Sequence, residues 1–331
     1  MTTRPASHAG SWYSGDIGRL SAELDQYLAQ VPLTVDSQPM PIPGARIIIS
    51  PHAGYTYCAD TAAWAYKALD LTKAKRIFLL GPSHTLHLPG CALTGHAKYA
   101  TPLGDLVVDT ETVNELQATG KFDTIPRHTD EQEHSLEQQC PYIYKMVSLH
   151  FNDPAQYPTI IPVMVGNTSA DREKAYGKLF APYLADPTSI FVVSSDFCHW
   201  GERFQYTYYI PNNPTSEVLR NGGGYSLRKR RDSNPTDPPI HKSIDKLDRS
   251  SMDAIEGGTH DEFLDNLKKT DNTVCGRHPI GVVMAAIEEL KKAGKVPFGH
   301  GDFKFIQYSR SDDVVDIGGS SVSYASAYAV L

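Results

Sequence analysis

The sequence lacks any long apolar run, and it has few cysteines for its length. No stretch of the 331 residues approaches the roughly 18 to 20 apolar residues of a membrane-spanning helix, which argues against a span of that kind. The first residues, MTTRPASHAGSWYSGD, contain no apolar core of a signal peptide, so we expect no secretory signal. The five cysteines are scattered and odd in number, which favours reduced thiols in the cytoplasm over a disulfide framework.

An excess of positive charge is also missing. The formal net charge is -7, which argues against a nucleic-acid partner held by bulk electrostatics. Hydrophobic residues make up 40% of the chain and charged residues 21%, values that are typical of a globular protein. One basic cluster, Arg228–Arg231, is a weak signal for nuclear localisation or for an interaction. We expect a cytoplasmic protein, with the nucleus as a second compartment.

Short apolar strands alternate with helical patterns along most of the chain. The sequence predicts strands at 46–50, 76–80, 105–108, 159–166, 189–195, 303–309 and 321–331. It predicts helices at 15–30, 59–70, from 110, 131–149, 171–185, 242–256, 260–269 and 278–293. Strand, helix and strand in succession indicate parallel strands, and the last two strands could pair antiparallel. The fold class is therefore α/β, with a central, partly parallel mixed sheet flanked by helices.

Residues 206–240 interrupt this alternation. They contain Gly222–Gly224, several prolines and the basic cluster Arg228–Arg231. This composition predicts a surface loop or a disordered insertion, because it cannot bury much apolar area. We expect residues 1–331 to form a single domain that carries this insertion.

Three of the apolar strands lead into side chains that can bind a metal or transfer a proton. The strand 46–50 precedes His52, the segment RIFLLGPS precedes His84, and SIFVVSS precedes Asp196 and His199. Ligands of open α/β sheets bind beyond the carboxyl ends of the strands, so we predict one common site. A single histidine more often caps a turn or bonds a carbonyl, but two histidines on adjacent parallel strands are near enough to share an ion.

Three further patterns leave alternatives open. Asp196 and His199 have D-x-x-H spacing, which suits a metal ligand with a general acid/base, a carboxylate that orients an imidazole, or an N-cap beside a packed histidine. His134 and Glu137 share a helix face. They would hydrogen-bond to metal ligands, or donate a proton to a substrate, or form a solvated surface. Cys275 precedes a helix, where a lowered thiol pKa favours a nucleophile or metal ligand; otherwise it is a small buried residue.

Aromatic residues flank the same segments. They are Trp12, Tyr55, Tyr57 and Trp200. Aromatic side chains around a polar site can form the wall of a pocket, although they are also ordinary core residues. We predict that Trp12, Tyr57 and His134 line the pocket.

Seven short segments are far more specific as an ordered set than any one of them alone. They are ASHAGSWY (6–13), SPHAGYTYCAD (50–60), LGPSH (80–84), EHSLE (133–137), SSDFCHWG (194–201), CGRHPIG (275–281) and SVSYA (321–325). Together they resemble the MEMO family, the mediators of receptor-tyrosine-kinase-driven cell motility and their fungal relatives. The resemblance implies a fold similar to the LigB-like class III extradiol dioxygenases, which hold non-haem Fe(II) with two histidines and a carboxylate.

The resemblance also implies a metal site of two histidines and one cysteine, here His52, His84 and Cys275, in a pocket lined by Asp196 and His199. It implies binding of Fe(II) or copper, and a thiolate ligand extends the choice to zinc. We expect a redox protein, an oxidoreductase or a protein of metal and reactive-oxygen homeostasis, with O2 or a small molecule at the metal. His199 would transfer a proton, and Asp196 would either orient the imidazole of His199 or hydrogen-bond to the metal ligands without contacting the metal.

Two other functions remain open from the sequence. The first is a signalling adaptor that binds a phosphotyrosine peptide in the same pocket, without catalysis. The second is a zinc hydrolase, because two histidines and one cysteine with an open position also suit catalytic zinc. The resemblance says nothing about a partner surface at 206–240, because this chain departs from the family there.

Overall fold

A mixed sheet forms the centre of the computed structural model, which describes residues 2–215, 218 and 223–331. Its strands lie in the order His199–Trp200, Ser321–Val330, Ala45–Ser50, Ser189–Ser194, Arg76–Pro82, Thr159–Val165, Cys91–Leu93 and Phe122–Thr124, and Phe303–Arg310 also pairs with Ser321–Val330. Smaller sheets contain Thr3–Arg4, Lys98–Thr101 and Gly104–Val107; Thr34–Val35 and Gln38–Pro39; and Tyr208–Tyr209 and Tyr225–Ser226.

The central strands explain why the site lies at one edge of the sheet. Ser189–Ser194 runs parallel to both Ala45–Ser50 and Arg76–Pro82, and it lies between them. The predicted direction of these strands is therefore confirmed, but the prediction that the strands before His52 and His84 are adjacent is wrong. Sequence order does not fix spatial order, since the later strand inserts between the two earlier ones.

The antiparallel half of the sheet is built by the end of the chain. Ser321–Val330 pairs antiparallel with both Ala45–Ser50 and Phe303–Arg310, which confirms the predicted pairing of the last two strands. Every residue of Ala45–Ser50 and Ser189–Ser194 is buried. Such continuous apolar strands are expected where helices cover both faces of a sheet. The observed class is α/β with a partly parallel mixed sheet flanked by helices, as predicted.

Helices cover this sheet. The α-helices of the described residues are Ile17–Gln30, Tyr55–Ala68, Thr110–Ala118, Arg127–Gln132, His134–Glu137, Cys140–His150, Ala170–Ala185, Ile240–Glu256, His260–Thr270 and Arg277–Lys292, and short 3-10 turns lie at Pro154–Gln156 and Glu202–Phe204. Small side chains let Tyr55–Ala68 pack closely on the sheet, and Ala170–Ala185 packs along Arg277–Lys292. No helix within the described ranges is long and apolar enough to cross a membrane.

Most of 131–149 is helical, as predicted, but the helical segment is divided among three short helices. Glu133 has an extended backbone conformation and its side chain accepts a hydrogen bond from the backbone of Ser135, so it ends one helix and caps the next. Pro141 then lies in the first turn of Cys140–His150, where proline is tolerated. The break places Glu133 and His134 at a corner instead of along one continuous helix.

The two ends of the segment 206–240 are packed. Tyr206, Tyr209, Leu227 and Ile240 are buried in a second apolar cluster that also contains Trp200. Residues between these anchors, from 228 to 234, are exposed. The ends of the segment are therefore packed against the rest of the protein, and a surface insertion in a single domain stays a prediction. Part of it, including Gly222, lies outside the described residues.

Candidate metal centre

The candidate site lies where three parallel strands end. His52, His84 and Asp196 follow Ala45–Ser50, Arg76–Pro82 and Ser189–Ser194 within two residues. The imidazole centroids of His52 and His84 are 5.3 Å apart, although a third strand separates the strands that carry them. The common edge of a parallel sheet is thus enough to bring these side chains together.

The hydrogen bonds of His52 leave one ring nitrogen available. Ser194 Oγ donates to the carbonyl of Ser135 at 2.7 Å, so at 2.8 Å it accepts a hydrogen bond from the Nδ1–H group of His52. The Nε2 atom of His52 then carries the lone pair, and it lies 3.1 Å from Sγ of Cys275. Burial, and then the charge of neighbouring histidines, lowers the pKa of His52 well below its usual value. Neutral imidazole is the form that binds metals.

His84 is held in the same tautomer by Glu133. Both carboxylate oxygens of Glu133 accept hydrogen bonds from His84, one from the backbone N–H at 2.6 Å and one from Nδ1 at 2.9 Å. Burial acts to raise the pKa of Glu133, but the hydrogen bonds from His84 outweigh it and lower the pKa to about 2. A carboxylate bonded to the distal nitrogen of a histidine is a common support for a metal ligand.

Glu133 is the main site residue that sequence reasoning missed. It is fully buried and it touches His84 across 49 positions of the chain. Its only signal in the sequence is its place next to His134 in the EHSLE segment, where a helical pattern draws attention to His134 and Glu137 instead.

His134 lies directly beside the other two histidines. Its ring stacks on that of His84 with centroids 4.4 Å apart, and the ring of Trp12 lies 4.6 Å away on another side. Burial, and then the charge of His84, lowers the pKa of His134 to about 4. Among the residues that the structure describes, His52, His84 and His134 are the only three metal-capable side chains whose donor atoms all lie within 4.8 Å of one another.

Cys275 approaches this group from one side. Its sulfur contacts Nε2 of His52 and accepts a hydrogen bond from the backbone N–H of Asp196 at 3.2 Å. The prediction of a lowered thiol pKa is wrong: burial, and then the charge of Asp196, raises the pKa of Cys275 well above its usual value. The helix begins only at Arg277, so its N-terminus does not offset the loss of solvent. A bound cation would act in the opposite direction and favour the thiolate.

Asp196 and His199 do not pair with each other as acid and orienting group. Oδ1 of Asp196 accepts a hydrogen bond from the backbone of His52 at 2.8 Å. Nδ1 of His199 lies 2.9 Å from the carbonyl of Phe197 and 3.2 Å from that of Thr273, so it carries the proton. Backbone carbonyls therefore fix the tautomer of His199 and leave its Nε2 able to accept a proton.

A cavity of about 520 Å3 opens over these residues. Trp12 and Tyr57 line it and are 37% and 60% exposed, which places them at its rim. Arg203 also lines the cavity, beside Phe204. The other two aromatic candidates are core residues: Tyr55 is buried with its hydroxyl on the carbonyl of Gln138, and Trp200 is buried in the second apolar cluster.

A buried charge network, which we call the Arg4 cluster, supports the segment that carries Glu133 and His134. The cluster consists of Arg4, Asp130 and Glu137, whose side chains are each 1% exposed. Arg4 Nη1 donates to Glu137 at 2.7 Å, and Nη2 donates to the carbonyl of Glu133 at 2.8 Å. Glu137 is therefore a buried residue that holds the segment of Glu133 and His134 in place, and it is not part of a solvated helix face.

Comparison with known proteins agrees with the sequence motifs over the whole chain. The profile of a family described as "Memo-like protein" matches residues 4–328. "Protein MEMO1" of Xenopus laevis is 44% identical over 328 residues, which cover 99% of this chain and 97% of that protein. "Protein MEMO1" of Homo sapiens is 44% identical over 325 residues, 98% of this chain and 96% of its own length. "Protein memo-1 homolog" of Caenorhabditis elegans is 41% identical over 98% of this chain and 81% of that protein. The chain belongs to the Memo-like protein family.

Proposed function

We propose that this chain is a metal-binding redox protein that holds Fe(II), or copper, with His52, His84 and Cys275. The observation that supports it is the pair of fixed tautomers: Ser194 and Glu133 occupy the Nδ1 atoms of the two histidines. Both imidazoles therefore keep a free Nε2 lone pair, and one of these lies 3.1 Å from the thiol. Histidines that bind a metal typically have the other ring nitrogen hydrogen-bonded in this way, which fixes the tautomer and the orientation of the ring.

The chemistry of the donors narrows the choice of metal. Imidazole and thiolate suit Fe(II), copper and zinc, whereas magnesium and calcium prefer oxygen ligands. A bound iron or copper ion would supply Lewis acidity and exchange of single electrons. His134 offers a second, all-nitrogen donor set that shares His52 and His84 with the first. The two sets differ only in Cys275 and His134, so variants of these residues distinguish them.

The other residues of the cavity have roles that do not require contact with the metal. His199 lines the cavity with its Nδ1 proton held by carbonyls, so it is placed to accept or return a proton at Nε2. Asp196 holds the backbone of His52 and therefore positions a ligand. The cavity leaves room for O2 or another small molecule beside the histidines.

Metal analysis of protein purified without oxygen tests the proposal. The wild-type chain should bind one equivalent of Fe(II) or Cu(I), and His52→Ala/His84→Ala should bind none while it remains folded. His87→Ala is the matched control, because this exposed histidine is three positions from His84 and outside the donor group. Full metal content in the double variant would refute the proposal. Tight binding of zinc alone, with no O2 consumption under a reductant, would favour a zinc hydrolase instead.

A second candidate function is recognition of a phosphotyrosine peptide, without catalysis, in signalling or cell motility. Two exposed aromatic side chains at the rim, Trp12 and Tyr57, and the cationic Arg203 in the wall favour this function. Aromatic anchors and arginine are the residues that most often dominate binding of such ligands. Calorimetric titration of a phosphotyrosine peptide should show binding that Arg203→Ala weakens. Equal affinity for the unphosphorylated peptide would remove this candidate.

A further inference from the structure

The segment 228–233 is an exposed loop with fixed ends. Leu227 is buried, its backbone N–H donates to Thr207 at 3.0 Å, and the Thr207 hydroxyl donates back to the carbonyl of Leu227 at 2.8 Å. At the other end, the side chain of Asn234 bonds Asp316 at 2.7 Å and accepts from the backbone of Ile317 at 2.9 Å. The exposed residues between these anchors cannot drift far from the body of the protein.

This loop carries the strongest local positive charge in a chain whose net charge is -7. Arg228, Lys229, Arg230 and Arg231 are consecutive and exposed. Within the described part of the chain, none of the four side chains forms an ion pair with a carboxylate within 4.0 Å. The charge is therefore available to a partner with acidic side chains.

We propose that Ser233 is a phosphorylation site for an arginine-directed serine/threonine kinase. Arg230 and Arg231 precede Ser233 by three and two positions, which gives the pattern Arg-Arg-Asp-Ser. Kinases of this class recognise arginines at these positions through acidic subsites, because guanidinium groups form charge-assisted hydrogen bonds with carboxylates. Ser233 is exposed and lies in irregular backbone, as a segment that must bind in another enzyme's cleft requires.

The local hydrogen bonds permit such binding. The turn is closed by the backbone N–H groups of Arg231 and Asp232, which both donate to the carbonyl of Arg228 at 2.9 Å. The Asp232 carboxylate also accepts from the backbone of Arg228 at 2.7 Å. All three hydrogen bonds are at the surface, and residues 228–233 include no apolar side chain. The turn can therefore open without disturbing the core. The anchors at Leu227 and Asn234 stay in place.

The reaction consumes one nucleoside triphosphate. The hydroxyl oxygen of Ser233 forms a bond to the γ-phosphorus, the bond from that phosphorus to the β,γ-bridging oxygen breaks, and the nucleoside diphosphate leaves. The proton of the hydroxyl passes to the kinase's catalytic base. The product carries a charge of about -1.5 to -2 near neutral pH, two positions from Arg231.

The modified residue would alter the surface next to the candidate metal centre. A groove lined by Arg228–Arg231 also contains Glu202 and Gln205. These two residues flank Arg203 and Phe204, which line the metal cavity. A phosphate at Ser233 would offset part of the positive charge of the neighbouring cluster Arg228–Arg231.

The test uses the folded full-length chain, magnesium ATP and the catalytic subunit of cyclic-AMP-dependent kinase as the arginine-directed probe. Intact mass and peptide mapping should show one phosphate on Ser233. Ser233→Ala should lose this phosphate, whereas Ser226→Ala, an exposed serine on the other side of the basic cluster, should keep it. Arg230→Ala/Arg231→Ala should lower kcat/KM by about tenfold or more. The control Lys268→Ala/Lys269→Ala, in another exposed basic pair, should not change it.

Two results would overturn the proposal. The first is the same rate of phosphate incorporation in Ser233→Ala as in the wild type. The second is a folded chain that takes up no phosphate at Ser233 while a peptide of residues 226–237 is modified, since the loop would then be closed to the kinase.

Discussion

Replacing Arg4 by methionine should strongly destabilise the protein. Arg4 is one of the largest fully buried side chains, and its guanidinium donates to Glu137 at 2.7 Å and contacts Asp130 at 3.2 Å. Methionine fills a similar volume but leaves both carboxylates without their cation. Removing one partner of a buried ion pair costs about 3 to 5 kcal/mol, because the remaining charge is uncompensated.

Other hydrogen-bond donors to the two carboxylates decide where in this range the loss of unfolding free energy should fall. The hydroxyl of Tyr13 still donates to Glu137 at 2.8 Å, and that of Tyr99 to Asp130 at 2.6 Å. These hydrogen bonds stabilise the carboxylates in part, so we expect a loss near the lower limit, about 3 kcal/mol. A native protein has a free energy of unfolding of only about 5 to 15 kcal/mol, so the loss would be easy to measure.

Urea denaturation of metal-free protein, followed by tryptophan fluorescence, measures this loss. The matched control is Arg19→Met, because Arg19 forms an exposed pair with Glu23 at 2.7 Å and such pairs contribute little. In Arg4→Met/Glu137→Gln, removal of the unpaired charge should restore part of the stability. If Arg4→Met were as mild as Arg19→Met, the Arg4 cluster would not be a buried ion pair.

The remaining predictions concern the candidate metal centre. Cys275→Ser should weaken Fe(II) or Cu(I) binding strongly, and Cys275→Asp should keep some Fe(II) affinity. His134→Ala should leave the metal content near that of the wild type. If metal analysis shows instead that His134→Ala loses the metal and Cys275→Ser keeps it, the ligands are the three histidines. The metal-free protein should lose stability as the pH falls from about 6.5 to 4: the pKa of His134 is lowered to about 4, so the unfolded chain binds more protons in this window. The contribution is at most about 3 kcal/mol, and a urea series on His134→Asn should show a shallower slope. Peroxide should release the metal from the wild type as Cys275 is oxidised, and a reductant should restore binding only after mild treatment. His199→Ala should keep its metal but reduce O2 consumption under a reductant; unchanged consumption would exclude a proton-transfer role.

The sequence predicts the fold class and the proximity of several candidate site residues, because both depend on local patterns. The continuous apolar runs at 46–50 and 189–195 indicate buried strands, and the residues just after such strands meet at one edge of a parallel sheet. The proximity of His52, His84 and Asp196 is therefore expected without any knowledge of the three-dimensional structure. Several elements also begin and end within one residue of the predicted bounds, among them Ala170–Ala185, Arg277–Lys292 and Phe303–Arg310.

The features that the sequence does not predict depend on contacts between distant segments. Glu133 becomes a support of His84 only because the chain turns at 133 and returns to the edge of the sheet. The raised pKa of Cys275 results from burial that a count of residues to the next helix cannot show. The strand Ser189–Ser194 inserts between two earlier strands, which no local periodicity reveals.

The position of the last strand has a consequence for synthesis on the ribosome. Ala45–Ser50 is made long before one of its two neighbours in the sheet, Ser321–Val330. The delay can be judged from Thr61 and Ser326, which are hydrogen-bonded in the finished fold and lie 265 positions apart. At about 5 to 20 residues per second, translation of this stretch takes roughly 13 to 53 s. During that time an apolar strand has an open edge that can pair with other chains. Newly made protein should therefore depend on chaperones until residues 321–330 emerge, and chains that end before residue 321 should aggregate.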